Sequence, residues 1–337
     1  MSDQPPAIPK MEIIPKLIWA VYPSFAFLAS IQLDVYTPLK DNPSSAEQLA
    51  DTLGLGVTNL RPLLYTLVTT GLLAFTEDRF SNSQEADTYL VKGSPTYMGS
   101  RHELMAVAWQ ACLHTADSIR SGTGQAKGDF DYSTTPPEKL ERIFRGLHAS
   151  AMAAGRNLAK RDDLSRCQTL LDVGGGSGGL AIALAQNLPH IQVTVVDLPS
   201  VAPITQRFVD EAQASERVQV VAKDVVNEGL AGRYDGAVLS SVIQTLSADN
   251  ARRILINVGR AVNAGGMICI IGAVLDNSRL SPPLMVMNNI FFLNVYDGGQ
   301  AYTEQEYRDW LVEAGFENIT RDIQPEGHSI LFARKVG

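Results

Sequence analysis

The stretch Thr169-Leu-Leu-Asp-Val-Gly-Gly-Gly-Ser-Gly-Gly179 decides the fold. A short apolar run carries an acidic residue near its end and opens into glycines, which let the backbone turn sharply and let a ligand approach amides that a Cβ would block. A helix follows to Gln186, and the next apolar run, IQVTVVD, ends at Asp197, nineteen residues beyond Gly178. An acidic residue there can accept both ribose hydroxyls, so the pattern predicts an adenosine-type cofactor. The glycines alone do not separate a dinucleotide from S-adenosylmethionine, because Gly174, Gly176 and Gly179 also satisfy G-x-G-x-x-G.

Downstream the alternation continues with VQVVAKD, YDGAVLSSV, a helix from about Ala248, MICIIGAV, a helix from Pro283 and a last helix. Strand–helix alternation predicts an α/β fold with a doubly wound, mostly parallel, Rossmann-like sheet. The closing stretch FENITRDIQPEGHSILFARK holds two strand-like runs joined by a turn, which can add an antiparallel edge strand. Asp224 closes the third strand, where a carboxylate can accept from an adenine amino group. Asp172, Asp197 and Asp224 thus stand at three successive strand ends, behind a helical region and ahead of an extra β segment. That arrangement favours S-adenosylmethionine, which needs room for an amino acid and a sulfonium rather than a pyrophosphate cradle.

Residues 1–10 form a polar, Pro-containing tail, and Met11 to about Leu39 is apolar on every side of a helix, including Trp19, Tyr22, Phe25 and Ile31. Such a segment must be covered on every side, by the core or by a partner subunit. In residues 44–91, Ser45 and Gln48 form a capping box, Gly54 ends that helix, a second helix carries Leu60, Leu63, Leu64 and Leu67, and Gly71 opens a short hairpin. Helix, turn, helix and wing describe a winged helix. Its three basic residues (Arg61, Arg79, Lys92) face six acidic ones (Glu47, Asp51, Glu77, Asp78, Glu85, Asp87), a balance that repels phosphate. Residues 101–165 read as helical, interrupted by the loop-forming Ser121–Pro137, and then place Leu140, Phe144, Leu147, Ala151, Ala154 and Leu158 on one face with His148 at its edge. The expected division is 1–100, an all-helical and winged-helix module; 101–165, a helical connector contributing to a substrate pocket; and 166–337, the cofactor-binding sheet.

The chain has 337 residues, 28 Lys and Arg against 36 Asp and Glu, and a net charge of −8, which opposes a nucleic-acid partner. Three scattered cysteines encode neither a disulfide framework nor a zinc cluster, and fit a reducing compartment. His102, His114, His190 and His328 lack metal-ligand spacing, so no metal is expected. No signal-peptide pattern and no apolar run near 18 residues is evident, so the reading is a soluble, cytoplasmic protein without a membrane segment.

With LLDVGGGSGG, VVDLPSV (195–201), AKDVV (222–226), the winged-helix segment and GGQAYTEQEYRDWLVEAGF (298–316), the sequence resembles the S-adenosylmethionine-dependent O-methyltransferases of the caffeate, acetylserotonin and anthracycline type. The resemblance covers nearly the whole chain. It implies that Gly174 and Gly176 lie at the methionine part of the cofactor, Asp197 and Leu198 at the ribose and adenine edge, and Asp224 and Val225 around adenine, with Asp172 also among the cofactor-binding residues. It also implies S-adenosylhomocysteine as product and a homodimer built through the N-terminal helices, so that the first module is a dimerisation domain.

The sequence departs from that family where the chemistry is expected. Many members carry His-Asp-Trp after the fourth strand; here Gln244, Thr245 and Leu246 stand in those places, and glutamine is no base. A glutamate that orients the histidine in plant-type members is replaced by Ala301, and a lysine often near the cofactor carboxylate by Ser240. A phenol of pKa about 10 is short of its anion at neutral pH by roughly 4 kcal/mol. Positioning of donor and acceptor can supply roughly 7–11 kcal/mol, so an acidic phenol, enol or carboxylate can react without a base. His148 is the first candidate for a replacement base, since by resemblance its helix lines the acceptor pocket. Asp297, before Gly298-Gly299, is a candidate to orient the acceptor. Asn288 and Asn289 can offer amides, and Trp109, Met287, Phe291, Phe292 and Tyr296 can wall a pocket for a flat, hydrophobic small molecule.

The first functional reading is therefore methyl transfer to a small aromatic or polyketide-like metabolite, at a hydroxyl, with Gln244 as hydrogen-bond partner. The alternative keeps the cofactor and its sulfonium charge but catalyses a non-methylating rearrangement, pericyclic reaction, decarboxylation or hydroxylation. A third, a winged-helix transcriptional regulator, is opposed by the acidic balance of that module.

Overall fold

The computed structural model describes residues 10–164 and 166–337, apart from the side chains of 100–104 and 129; most of the N-terminal tail and the His102 side chain therefore lie outside the description. The chain separates into two compact units, Met1–Ala106 and Val107–Gly337.

The first unit contains helices α1 (Ile13–Trp19), α2 (Val21–Gln32), α3 (Ala46–Leu53) and α4 (Val57–Thr69), the antiparallel strands β1 (Leu73–Thr76) and β2 (Arg79–Asn82), and α5 (Gln84–Tyr89). The expected capping box is present: the Ser45 hydroxyl accepts the Gln48 amide proton and the Gln48 side chain accepts that of Ser45. Gly54 ends α3 in the left-handed conformation, φ 67°, and Leu49, Leu60, Leu64, Leu67, Leu73 and Phe80 form the buried core beneath the wing. One expectation is corrected. Ile13–Gln32 spans 20 residues at mean hydropathy 1.4, long and apolar enough by length and composition to cross a membrane. Helices α1 and α2 are separated by Ala20 alone, and Lys16 is the single charge in the stretch, so the polar interruptions do not outweigh the apolar residues. Ile13, Ile14, Leu17, Ile18, Trp19, Tyr22 and Phe25 are each more than half exposed within this chain.

Helix α6 (Gly99–Cys112) crosses the boundary between the units. The second unit continues with α7 (Thr115–Ser121), α8 (Pro137–Leu158), β3 (Thr169–Val173), α9 (Gly179–Asn187), β4 (Gln192–Asp197), α10 (Ala202–Glu211), β5 (Val218–Ala222), β6 (Tyr234–Ser240), α11 (Ala248–Ala261), β7 (Val262–Gly272), β8 (Val274–Leu275), α12 (Pro283–Val295), β9 (Tyr302–Thr303), α13 (Glu304–Glu313), β10 (Phe316–Ile323) and β11 (Ser329–Lys335). From Val107 onward the expected connector is thus part of the sheet unit. Helix α8 packs along α9 because Gly155 has no side chain: a Cβ there would come within 2.5 Å of the Leu180 carbonyl oxygen.

The main sheet has seven strands in the order β10-β11-β7-β6-β3-β4-β5. Strands β3 to β7 are parallel, and the closing hairpin joins antiparallel, with β11 on β7 and β10 at the edge. Successive β3 residues feed opposite faces, Leu170 to the core with Leu180, Ile182 and Phe208, Leu171 to the core with Leu239, Leu255 and Leu311. From β3 the chain order runs one way to β4 and β5 and the other way to β6 and β7. The crevice at the carboxyl ends of β3 and β6 is therefore the switch point where such sheets bind ligands.

Candidate active site

The turn after β3 is built on backbone that side chains rarely adopt: Gly174, Gly176 and Gly178 have φ of 67°, 57° and 68°. A Cβ at Gly174 would stand 2.5 Å from Val242 Cγ2, one at Gly175 2.8 Å from Asp172 Oδ2, and one at Gly176 2.8 Å from Phe144 Cε1. The glycines thus fit between the turn after β6, the Asp172 carboxyl and α8, and leave a narrow cradle at the crevice.

Asp197 reaches across from the end of β4. Its Oδ2 accepts the Gly176 amide proton at 2.8 Å and its Oδ1 that of Leu198 at 2.7 Å. Burial pushes its carboxyl up to about 6, against the pull of those two amides. Asp172 is fully buried, and neither of its oxygens has a hydrogen-bond partner among the described residues. Burial, helped by the charge of Asp197, raises it to about 7. A buried carboxyl without partners is costly unless neutral or satisfied by a bound group. The orphaned Asp172 oxygens, the glycine cradle and the carboxylate facing it fit the adenosyl-amino-acid cofactor predicted from the sequence.

Asp224 lies just past β5, with its carboxylate accepting the Val226 amide at 3.0 Å and the Asn227 side-chain amide at 2.7 Å. Most of its capacity serves that turn. Val225 is buried with Val173 and Val196, and Ser240 ends β6 half-buried. The next residue, Ser241, takes φ 60°, which costs a non-glycine residue strain of order 1 kcal/mol. This bend carries the chain into the short helical turn Ile243–Thr245, so that Gln244 is buried with its Oε1 2.6 Å from where a Gly272 Cβ would lie. Its amide makes no hydrogen bond among the described residues. Gly299 is wedged between the Gln244 carbonyl oxygen and Tyr296, at 2.8 and 2.7 Å from its Cβ position, which brings Tyr296 beside the Gln244 turn.

Tyr132, in the loop before α8, was not singled out in the sequence. Its ring meets Phe144 edge-on at 5.3 Å. Burial, then the charge of Asp197, raises its phenol to about 12; burial and the neighbouring Tyr132 raise that of Tyr296. Both phenols stay protonated and can donate hydrogen bonds. Phe291 packs between Phe130 at 5.1 Å and Phe292 and Tyr296 at 5.8 and 6.3 Å, continuing the aromatic wall. Thr205, also unpredicted, donates from its hydroxyl to the Gly176 carbonyl at 2.6 Å.

Other expected residues are placed elsewhere. His148 meets the glycine turn itself, with Nδ1 2.9 Å from Ser177 Oγ and its ring stacked on Phe208 at 4.7 Å, because one helical turn beyond Phe144 the edge of the apolar face of α8 meets α10. Asp297 is exposed and ion-paired with Lys127 at 2.5 Å, held in water rather than in the crevice. Met287 is 59% exposed on the outer side of α12. Asn289 accepts the Ala301 amide at 2.6 Å and so serves the chain's own backbone, while Asn288 and Trp109 are half-buried. A cavity of about 670 Å³ lined by Asp162, Asp163, Asp235, Asn263 and Arg334 opens at the opposite ends of the strands, away from the cofactor cradle. Among the described residues no His, Cys, Asp and Glu cluster could hold a metal ion.

Residues 113–317 match the O-methyltransferase domain family, and residues 16–92 the O-methyltransferase dimerisation domain. The chain is similar to the 3-hydroxy-5-methyl-1-naphthoate 3-O-methyltransferase of Streptomyces sahachiroi, 28% identical over 330 residues that cover 94% of this chain and 93% of the relative. It is also similar to the tetracenomycin polyketide synthesis 8-O-methyl transferase TcmO of Streptomyces glaucescens, 26% identical with 95% of each chain covered. In fold it is similar to human N-acetylserotonin methyltransferase, solved in complex with S-adenosylmethionine, at TM-score 0.85 and 22% identity, covering 98% of this chain and 100% of that one. The chain belongs to the O-methyltransferase family and is an S-adenosylmethionine-dependent methyltransferase carrying a dimerisation domain.

Proposed function

We propose that the enzyme methylates a hydroxyl of a small, flat, aromatic or polyketide-like compound, and does so by positioning rather than with a side-chain base. The observation that carries this reading is the group of neutral donors around the crevice, the side-chain amide of the buried Gln244 and the protonated phenols of Tyr132 and Tyr296, with His148 engaged by Ser177 and Asp297 by Lys127. The cofactor, when bound, supplies an electrophilic methyl group. Gly174 and Gly176 would receive its methionine end, Asp197 its ribose, and Leu198, Val225 and the remaining capacity of Asp224 its adenine. Asp172 beneath the turn and Ser240 beside it complete that set. Gln244 and Tyr296 orient the acceptor oxygen by hydrogen bonds, while Phe130, Phe291 and Phe292 exclude water and hold a flat ring.

An acceptor that ionises by itself, a phenol or enol, suits such a site, and an aliphatic alcohol does not. The names of the relatives support an aromatic or polyketide-like acceptor and do not favour a non-methylating reaction. The exposed apolar helices α1 and α2 lie largely within the matched dimerisation domain, which supports a homodimer. The unpaired Cys112, Cys167 and Cys269 support a reducing, cytoplasmic location. Purified protein incubated with S-adenosylmethionine and a panel of naphthols, hydroxyanthraquinones and enols tests the activity: methylated product and S-adenosylhomocysteine are expected by mass spectrometry. Binding of the cofactor with no S-adenosylhomocysteine released with any of these acceptors overturns it.

A further inference from the structure

Three side chains from outside the turn after β3 hold that turn in place. It needs them, because three of its residues are glycines at positive φ and its backbone has little preference of its own. Gly178 also gives α9 no side-chain cap. Asp197 takes the Gly176 amide, Thr205 donates to the Gly176 carbonyl, and His148 meets Ser177. Ser177 is 3% exposed. Its oxygen accepts the Gly179 amide proton at 3.3 Å and lies 2.9 Å from His148 Nδ1, a hydrogen bond whose direction follows the imidazole tautomer. The Ser177 hydroxyl donates to Nδ1 when the imidazole is neutral with its proton on Nε2. Burial and the nearby Arg145 hold His148 below its ordinary pKa, with Glu211 opposing. The ring is fixed in turn by Phe208, stacked with an interplanar angle of 23°. Gly179 leaves room for it, since a Cβ there would stand 3.1 Å from Nδ1 and 3.0 Å from the His148 carbonyl.

We propose that His148 is a positioning residue for cofactor binding: by accepting the Ser177 hydroxyl proton it fastens the glycine turn to α8 in the shape that receives the methionine end of S-adenosylmethionine. This rests on the reading of Gly174 and Gly176 as cofactor contacts. His148 then acts on the affinity of the turn for its ligand and takes no proton from the acceptor.

The test compares wild type, His148→Phe, His148→Asn and Ser177→Ala by calorimetry with S-adenosylhomocysteine and by steady-state kinetics. Phenylalanine keeps the stack on Phe208 without an acceptor; the asparagine Oδ1 stands where Nδ1 stands. Losing a buried hydrogen bond in His148→Phe or Ser177→Ala is expected to raise Kd and the cofactor KM about tenfold with kcat nearly unchanged, and His148→Asn to restore most of the affinity. His148→Phe combined with Ser177→Ala is expected to cost little more than either alone, since both remove one bond. Equal Kd in all variants overturns the proposal. So does a fall in kcat of about a hundredfold or more in both His148 variants at unchanged Kd, which makes His148 the base. A wild-type protein that takes up no S-adenosylhomocysteine overturns the cofactor reading itself, a separate failure.

Discussion

Asp197 accepts the amide proton of Gly176 across 2.8 Å, so the residue that ends β4 also shapes the turn that ends β3. One carboxylate orders the cradle and faces its ligand. Replacing it with alanine removes charge-assisted bonds worth about 1.5–3 kcal/mol each, so Asp197→Ala is expected to weaken S-adenosylhomocysteine binding roughly a hundredfold. Calorimetry reads this directly, and a Kd within about threefold of wild type would contradict the assignment.

Asp172 predicts how stability varies with pH. Its folded pKa, about 7, lies above its ordinary value of 3.8, so the folded protein holds a proton that the unfolded chain has released. The stability this contributes is present at low pH and is lost as pH rises from about 4 through 7, by an amount on the order of 4 kcal/mol. Asp172→Asn, which cannot ionise, should flatten that decline and make the ligand-free protein the more stable of the two above neutral pH. Urea unfolding midpoints measured across this range check the point; parallel curves for the two proteins would refute it.

Without a side-chain base, rate should follow the acceptor. Across phenols of falling pKa, kcat/KM is expected to rise, and for each phenol to climb with pH toward that phenol's own pKa. Gln244→Ala should cost about fivefold in kcat, the worth of one neutral hydrogen bond, rather than the 10²–10⁴ of a lost base. A pH profile identical for all acceptors, or a loss of a thousandfold in the variant, would reinstate an enzyme base.

At Gly176 both the backbone and the space forbid a side chain, with φ 57° and Phe144 Cε1 2.8 Å from the Cβ position. Gly176→Ala must distort the turn or displace Phe144. The expected result is a fall in unfolding midpoint of about 2–4 °C, from roughly 1 kcal/mol of backbone strain, with cofactor affinity falling more than tenfold. Unchanged affinity would show that the turn does not touch the ligand.

The apolar surface of α1 and α2 predicts the assembly. Ile18→Asp, at a residue 61% exposed within the chain, is expected to halve the mass measured by light scattering and to leave the second unit folded. A monomeric wild type would overturn the homodimer.

The parts legible in the sequence were those where one local constraint fixes the answer. Gly174, Gly176 and Asp197 lie on a strand–turn–helix–strand path whose spacing sets their meeting, and Ser45, Gln48 and Gly54 spell a helix start and stop. Periodicity shows the apolar face of α8 but not what lies beyond its edge, where His148 meets Ser177 and Phe208. Helix α12 is apolar on nearly every side, so its pattern does not show that Met287 faces outward. Tyr132 sits in a loop with no period to reveal it, and Thr205 is one hydroxyl on an ordinary helix. Its role depends on a carbonyl 29 residues away.

Ala301 has no exposed surface; its amide is committed to Asn289, and it packs with Ala273, Leu275, Met285 and Phe292. A glutamate grafted there would have neither water nor a counter-charge in that apolar corner. Restoring the histidine–glutamate pair of plant-type kin therefore asks for a recast wall as well as two exchanged letters. The enclosure around one methyl group thus stands against installing a charged partner at this position, and engineering of this scaffold gains more from choosing acidic acceptors.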